Sequence, residues 1–161
     1  MKLSLSGCLG SLGILAIFGL IGAGLSYWGW TILQDAKASA SWPTASGLVT
    51  SSEVSHSTDS DGNDSYSPEV DYQYQVDGQS IVNSQIKFGE NSYGNRRKAE
   101  EIAGNYPVGQ QVTVYYDPER PDKAVLEPGV TAGSYIVLGI GVFFILVSLV
   151  SAPIRLFSGR N

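Results

Sequence analysis

Apolar and polar residues alternate along one stretch near the middle of the chain. Between Val70 and Val76, valine and tyrosine fall on one face of an extended backbone, and aspartate and glutamine fall on the other. A period of two is typical of a strand with one buried and one solvated face. Asp77-Gly78 supplies a turn, so the pattern predicts a β-hairpin over Tyr66–Phe88.

The register of this hairpin has two possible forms. A two-residue Asp77-Gly78 turn pairs Tyr72 with Asn83. A three-residue loop that adds Val76, with Gly78 left-handed and a bulge after it, pairs Tyr72 with Val82 instead. A slip of one residue moves every side chain to the other face. We predict the bulged form, because the two-residue turn leaves three apolar side chains on the wrong face: Val82, Ile86 and Phe88.

Two long gaps in the charge pattern lie on either side of this hairpin. No charged residue occurs between Lys2 and Asp35, or between Glu127 and Arg155. Each gap exceeds the ~20 residues that a helix needs to cross a bilayer. We therefore predict two transmembrane helices, at about Leu9–Leu33 and Val130–Ile154.

The first apolar run has a second interpretation, a cleaved signal peptide. Ala36-Lys37-Ala38 and Ala38-Ser39-Ala40 both resemble small-residue cleavage sites. The run is longer than a signal core of about 7–15 residues, however, so an uncleaved anchor is favoured. The aromatic residues near its end, Tyr27, Trp28 and Trp30, are typical of a membrane interface.

The basic residues predict the orientation. Lys2 precedes the first span, and Arg155 and Arg160 follow the second. Two spans return the chain to its starting side, and the positive-inside rule places that side in the cytoplasm. We predict a cell-membrane protein with both termini cytoplasmic. Its parts are residues 1–34, an extracytoplasmic domain at 35–128, and residues 129–161.

The two predicted spans contain pairs of small residues and no charged side chains. Pairs four residues apart, Gly19/Ala23 and Gly22/Ser26, favour close approach of another helix. Gly133, Gly139 and Gly141 offer a matching surface, although glycine is common in membrane helices in general. Neither span holds a charged or histidine side chain, which argues against a transporter or channel.

The rest of the middle segment predicts three further strands and one helix. The strands are Gly47–Ser57, Gln110–Tyr116 and Ala124–Glu127. The helix is Asn95–Asn105, and its apolar residues follow one helical stripe. The fold class is therefore α+β: two transmembrane helices flank a small, mostly antiparallel five-stranded sheet, curled or a partly open barrel, with one helix over an opening. Four tyrosines are expected in the core: Tyr66, Tyr72, Tyr74 and Tyr116.

A series of turn and strand motifs in this segment resembles a known family. The chain is similar to the domain-of-unknown-function family numbered 3592 over Trp42–Gly129. That resemblance implies a membrane-tethered β-rich domain without an established activity, and it transfers no catalytic residues. The motifs are Trp42-Pro43-Thr44, Gly47-Leu48-Val49, Pro68-x-Val70-x-Tyr72-x-Tyr74-x-Val76-Asp77-Gly78, Phe88-Gly89, Ala99-Glu100-Glu101-Ile102, Tyr106-Pro107-Val108-Gly109, Val112–Pro118 and Leu126-Glu127-Pro128-Gly129.

Charge and cysteine content exclude several partner classes. Asp35–Pro128 holds all 15 acidic and seven of the ten basic residues, for a net charge of −8. Such a segment disfavours nucleic acid and anionic lipid as partners. Cys8 is the only cysteine, so an internal disulfide and a thiolate metal site are excluded.

The acidic loop at Asp59–Asp64 is the candidate metal site. Asp59, Asp61 and Asp64 supply several oxygen ligands. An EF-hand needs glycine at the sixth position and glutamate at the twelfth, whereas here glycine is fourth and Val70 is twelfth. A solvated turn is favoured, and we expect calcium to bind weakly or not at all.

Three basic residues open the predicted helix, where the helix dipole disfavours cations. Arg96, Arg97 and Lys98 are therefore a candidate contact for an anion or an acidic partner. The simpler interpretation is that Arg96 and Arg97 pair with Glu100 and Glu101 four residues on.

Catalytic chemistry has little support in the sequence. His56 is the only histidine and has no predictable partner, so we expect neither an enzyme nor a cofactor. The leading hypothesis is a non-enzymatic interaction or scaffold module that contacts the bilayer and another envelope protein, or a second copy of itself. The short last strand is expected to present an edge to that partner. The alternative is an extracytoplasmic domain that senses a small ligand or ion.

Overall fold

The computed structural model describes residues 5–158, with side chains described from 16 to 149. The basic tips Lys2 and Arg160 lie outside these residues, as do the side chains of Cys8 and Arg155. A short 3-10 turn at Gly133–Tyr135 precedes the last helix. The elements are α1, Leu5–Ser39; β1, Thr44–Thr58; β2, Asp64–Val76; β3, Gln79–Asn83; α2, Arg96–Gly104; β4, Gln111–Asp117; β5, Arg120–Val125; and α3, Ile136–Ser158.

The chain divides into two compact units. One unit is Leu33–Gly133, which holds the sheet and α2, and the other consists of the helical segments on either side of it. The first unit has an α+β fold with one five-stranded sheet in the order β3-β2-β1-β4-β5, and every neighbouring pair is antiparallel. The predicted fold class is confirmed to this extent.

The buried face of β2 is the centre of the hydrophobic core. The predicted alternation is confirmed, because Val70, Tyr72, Tyr74 and Val76 are 0%, 0%, 2% and 9% exposed. Side chains from the other strands and from the segment after β3 complete the same cluster: Val49, Ile86, Val114, Ala124 and Leu126.

The predicted register of the β2–β3 hairpin is wrong. Tyr72 pairs with Asn83 and Val76 with Gln79, as a two-residue turn requires. Asp77 and Gly78 both have positive φ, 51° and 80°. This is the backbone that a two-residue hairpin turn needs to match the strand twist.

The reason lies in where β3 ends. The strand stops at Asn83, so the alternation cannot be extended to Ile86 and Phe88. Those two side chains reach buried positions, 6% and 4% exposed, from irregular backbone. Val82 is 65% exposed, whereas Ile81 packs against the core. The bulged register assigned both residues to the opposite environment.

The tyrosines divide into two groups. Tyr72 and Tyr74 are core residues as predicted, and Tyr116 is half-buried against the core. The prediction for Tyr66 is wrong, because its ring stacks on His56 at a centroid distance of 4.7 Å, outside the core cluster. Tyr66 lies where β1 and β2 have run past the other strands.

Helix α2 follows the sequence prediction closely. It spans Arg96–Gly104, and the Asn95 side chain caps it by accepting from the Arg97 amide at 3.0 Å. Ala99 and Ala103 are buried, while Ile102 and Tyr106 pack against the core. One apolar stripe therefore attaches the helix to β1 and β2.

Side chains from β2 and β3, at the other end of the strand order, hydrogen-bond to the outer edge of β5. Asn83 Nδ2 donates to the Asp122 carbonyl at 2.7 Å, and the Tyr72 hydroxyl donates to the Ala124 carbonyl at 3.2 Å. The amides of Leu126 and Glu127 both donate to the Ile86 carbonyl. The expectation that the last strand offers its edge to a partner is therefore wrong, because these carbonyls already accept hydrogen bonds.

The flanking helices give partial support to the predicted spans. Within residues 16–149, one helical segment, Ala16–Ser39, is long and apolar enough to cross a membrane, and Gly133–Leu149 is apolar but shorter. A signal sequence would satisfy the same criterion as the first segment. Two spans and cytoplasmic termini stay predictions.

Small residues line the contact between α1 and α3. Gly22 lies against the Gly141 carbonyl, which a Cβ at position 22 would meet at 2.9 Å, and Gly141 lies against Ser26. The predicted matching surface is therefore correct for Gly141. It is wrong for Gly139, which faces open space, and for Gly133, which packs on the backbone at Gly89.

Candidate functional site

Strand β1 is much longer than the neighbour on its β4 side. It pairs with β2 over Gly47–Thr58 but with β4 only over Thr44–Leu48. The two strands therefore continue together past the sheet as a two-stranded extension. We call this extension, Ser52–Val70, the distal arm. It contains the acidic loop and His56.

The backbone of the arm has a defined inner and outer side. In an antiparallel pair, successive residues direct their N–H and C=O groups toward opposite neighbours. Tyr66 exchanges two hydrogen bonds of 2.8 Å with Tyr93, on the side of β2 away from β1. His56 is opposite Tyr66 in register, so its own backbone groups point away from β2. The same holds for every second residue of this part of β1: Ser52, Val54 and Thr58.

The outward side of β1 along the arm is an unpaired strand edge, which we call the open edge (Ser52–Thr58). At the base of the arm, Val49 still donates to the Gln110 carbonyl and accepts from the Gly109 amide, both at 2.9 Å. Beyond it, among the residues that the structure describes, no backbone group bonds to the outward side of Val54 or His56. This edge therefore presents donors and acceptors at regular spacing.

The corresponding edge of β2 is closed. Tyr66 is bridged to Tyr93, and the next outward position is Pro68, which has no N–H to offer. Proline and bridging segments are common means of blocking an edge strand. Within residues 52–58 there is no proline or lysine. The two edges of one arm thus differ in their capacity to accept another strand.

A groove of ≈ 440 Å³ runs along the base of the open edge. Ser52, Glu53 and Val54 form one wall. The other wall is one side of α2, including the Arg96–Glu100 ion pair, with Pro107 and Val108 after it. Ser52 Oγ donates to the Ala103 carbonyl at 3.0 Å, which fixes the distance between the walls. Val108 is 64% exposed, so the groove has an apolar side chain at its rim.

Two carboxylates face each other on the solvent side of the arm. Glu53 is directly opposite Glu69 in the register, and both are exposed. Like charges at such positions are destabilising. Glu53 Oε1 accepts from the Ser51 hydroxyl at 3.3 Å, and no ion pair to either carboxylate is found among the described residues. The arm therefore has an uncompensated negative face.

The surrounding sequence adds to this charge. From residue 38 to residue 86 there is no lysine or arginine, whereas the same stretch holds seven acidic residues. These are Glu53, Asp59, Asp61, Asp64, Glu69, Asp71 and Asp77. The net charge of Asp35–Pro128 indicated an acidic domain. The location of the arm could have been predicted from the position of this stretch without lysine or arginine.

The acidic loop at the tip of the arm uses its carboxylates internally. Asp59 Oδ1 accepts from the backbone amides of Asp61 and Asn63, both at 2.9 Å. The Asn63 side chain also donates to this carboxylate, which lowers the pKa of Asp59. Asp59 therefore closes the turn on which the loop is built.

His56 and Asp64 form a second contact at the tip. His56 Nε2 lies 2.9 Å from Asp64 Oδ1, and the Thr58 hydroxyl donates to the same oxygen at 2.8 Å. The hydrogen bond with His56, followed by that from Thr58, lowers the pKa of Asp64. His56, for which no partner was predictable, thus holds the two strands together where they have little burial.

The three candidate metal ligands are not assembled by this geometry. Within residues 16–149, whose side chains the structure describes, no group of three histidine, cysteine, aspartate or glutamate side chains is arranged to hold a metal ion. Asp59 and Asp64 are engaged as described, on separate partners. Weak or absent calcium binding stays a prediction.

The three basic residues of α2 have different environments. Arg96 pairs with Glu100 at 2.8 Å, as the simpler interpretation predicts. The Lys98 ammonium lies 5.3 Å from the centre of the Tyr93 ring. Arg97 supplies the capped amide, and its side chain is exposed. They do not converge on one site, and a role in anion binding stays untested.

A further charged cluster is formed by residues of the segment after β3 and by Glu127. Lys87 Nζ is 3.1 Å from Glu90 and 3.7 Å from Glu127, and the Tyr106 hydroxyl donates to Glu127 at 2.9 Å. Burial disfavours the charged form of Lys87, but the bond to Glu90 and the charges of Tyr93, Glu127 and Glu90 together outweigh this cost, so the pKa of Lys87 is raised. The same bond lowers the pKa of Glu90. Sequence reasoning missed this cluster, because its members are far apart along the chain.

The comparisons with known proteins identify one domain. The model of the family described as a domain of unknown function, DUF3592, matches residues 45–131, which is more than half of the chain. The matched region lies within the sheet-bearing unit, Leu33–Gly133. No curated protein matches the chain.

Proposed function

The chain belongs to the domain-of-unknown-function family DUF3592, and from that premise we propose that its sheet domain is a non-enzymatic interaction module of the cell envelope. In this role the domain holds or recognises another protein. The observation that carries the proposal is the open edge of β1, Ser52–Thr58, beside a groove and opposite a closed edge on β2. An unpaired edge is a template for strand addition.

The module is anchored in the cell membrane. Ala16–Ser39 is the first anchor, and the uncharged stretch from Pro128 to Ile154 is the second. With basic residues at both tips, the termini lie in the cytoplasm and Asp35–Pro128 lies outside. This arrangement presents the arm to other envelope proteins.

Reporter fusions test the anchoring. A fusion at Asn161 should report the cytoplasm, and one inserted at Gly62, in the exposed turn of the arm, should report the outside. A matched insertion at Gly94, in another exposed loop of the sheet domain, controls for damage to the arm. A cytoplasmic signal from either loop would contradict the topology.

Cross-linking in native membranes tests the module itself. A photoreactive amino acid is placed at exposed positions over the sheet domain, including His56, Val82 and Val108. We expect a reproducible protein adduct at one or more of these positions. Adducts only between copies of the chain would favour self-association, and the absence of any protein adduct would contradict the proposal.

The alternative function, sensing of a small ligand or ion, ranks second. It would use the acidic loop or Arg96–Lys98. The loop's Asp59 and Asp64 are already engaged within the arm, which leaves them less available to a ligand. A ligand that raises the melting temperature of the protein, together with a lack of protein adducts, would favour the sensor.

A further inference from the structure

We propose that the open edge of β1 binds an extended segment of a partner protein that carries lysine or arginine at alternate positions. The segment adds to the arm as a new strand beside Ser52–Thr58. This inference rests on the proposed interaction function and names its site and the chemistry of its ligand.

The backbone supplies the first part of the argument. Ser52, Val54 and His56 all direct N–H and C=O groups outward from the sheet, so an added strand would exchange hydrogen bonds with every second residue. The added strand would lie about 4.8 Å from β1. The groove at the base of the arm provides space on this side, because β4 has already ended its pairing at Leu48.

Side chains on the two faces of the added strand would meet different surroundings. One face would point toward the groove, where Val54, Pro107 and Val108 offer apolar contacts. The other face would lie beside Glu53 and Glu69. A strand alternates its side chains between two faces, so the ligand that fits has small apolar residues alternating with basic ones.

The two opposed glutamates indicate that the bound segment carries positive charge. Glu53 and Glu69 repel each other across the ladder. Arg96 lines the same groove as Glu53 but pairs with Glu100, and no ion pair to Glu53 or Glu69 is found among the described residues. A lysine or arginine directly opposite Glu53 on an added strand would relieve this repulsion. A rule broken locally without compensation is a signal of a functional site.

The same charges disfavour a second copy of the chain at this edge. Antiparallel pairing of two β1 strands would bring together two arms that both lack lysine and arginine. The glutamate repulsion of each arm would then be added to that of its partner. The occupant is therefore a basic segment of another protein.

The first test uses a defined probe with the full-length protein in detergent micelles. The probe is a fluorescent nine-residue peptide of alternating lysine and valine, and binding is followed by anisotropy at low and high salt. We expect binding that weakens with salt and is lost when glutamate replaces lysine. Equal binding of the glutamate peptide, or no binding of the lysine peptide, would overturn the proposal.

Backbone methylation distinguishes strand addition from general attraction between charges. One peptide is methylated at the amides of its lysines and a second at the amides of its valines, with charge unchanged. Only one of these sets faces β1 in an added strand, so one peptide should bind about tenfold or more weakly than the other. Equal losses would contradict the strand geometry.

Variants of the protein locate the site. Val54→Pro removes an outward N–H, as Pro68 already does on β2, and should weaken peptide binding about tenfold. Val82→Pro is the matched control, because Val82 also has an outward amide on an edge strand, β3, and is exposed. It should leave binding unchanged. An equal effect of the two proline variants would place the peptide elsewhere.

Charge variants address the possibility that Val54→Pro fails to fold. Glu53→Gln combined with Glu69→Gln should weaken binding of the lysine peptide about fivefold or more. The opposite-charge pair directly across the ladder from Glu53 is lost, and so is the charge of Glu69 one strand further away. Asp77→Asn combined with Glu119→Gln removes the same net charge from turns outside the arm. Equal weakening by the two double variants would overturn the assignment to the arm.

The cross-linking data separate this inference from the proposed function. Adducts at His56 whose partner peptide is basic and extended support both. Adducts at Val82 without one at His56 or Val108 overturn the strand-addition site and leave the interaction function standing. The absence of protein adducts at all positions overturns both.

Discussion

Strands β1 and β2 pass through two regions of the molecule that differ in what covers them. In the first, the body of the sheet, β3, β4 and α2 enclose Val49 and Tyr72, which are 1% and 0% exposed. In the second, the distal arm, the same strands have each other and a few side contacts, and His56 is exposed. After a register shift between Val49 and Ser51, the pairing continues along the whole arm. The difference shows that burial and strand pairing are separable in this fold.

The two regions are held by different interactions. The body depends on apolar burial, which contributes roughly 25 cal/mol per Å² of apolar surface removed from water. The arm depends on the ladder and on local contacts such as His56–Asp64, which are screened by solvent. A rigid body and a lightly held arm suit a module that offers one strand edge to a partner.

The largest difference between the two regions is expected when one tyrosine in each is replaced by alanine. Tyr72→Ala removes a fully buried ring whose hydroxyl donates to the Gln85 carbonyl at 2.8 Å. We expect a loss of about 3–5 kcal/mol in the free energy of unfolding. Tyr66→Ala, in the arm, should cost about 1 kcal/mol. Urea denaturation of the protein in detergent, followed by the fluorescence of Trp42 beside Phe88, measures both. Similar losses would mean that the arm is part of the core.

Ion pairs give a second, smaller contrast between enclosed and exposed positions. Lys87→Met removes a cation whose side chain is 13% exposed and leaves Glu90 without its cationic partner. We expect a loss of about 2 kcal/mol in stability. Arg96→Met breaks the pair with Glu100, which is of similar length but 69% exposed at the arginine, and should cost about 0.5 kcal/mol or less. Equal costs in the same denaturation assay would contradict the difference in burial.

Sequence reasoning was reliable where burial imposes a period and failed where it does not. The alternation of Val70–Val76 and the apolar stripe of α2 are local patterns, and both are confirmed. The hairpin register failed because Ile86 and Phe88 enter the core from irregular backbone, so their spacing carried no strand period. The arm was missed as a separate region because its serine-rich strand has no apolar alternation from which its length could be read.

The turns of the two regions can be compared at two glycines with almost the same φ angle. Gly78, in the β2–β3 turn, and Gly62, at the tip of the arm, have φ of 80° and 82°, with open space around both. Alanine at such φ is strained by about 1 kcal/mol. Gly78→Ala should reduce global stability by about that amount. Gly62→Ala should reduce it less, because the tip can open while the body stays folded. Equal shifts of the denaturation midpoint would contradict local opening of the arm.

The smallest expected effect is a local response of the arm to acid. The pKa of the Asp64 carboxyl is held below its usual range, first by the hydrogen bond with His56 and then by that from Thr58. Since the folded pKa is lowered, the contact contributes its full stabilisation above the ordinary aspartate pKa of about 3.9 and loses it as the pH falls through the folded value. Amide NMR shifts of Thr58 should therefore change below about pH 4, with Tyr72 as the reference in the body. In Asp64→Asn this transition should disappear, while that of Asp59, whose pKa is lowered by Asn63, should persist. An Asp64 carboxyl that titrates at or above the ordinary value would show that His56 and Thr58 do not hold the tip, and the arm would then have to be treated as open at neutral pH as well.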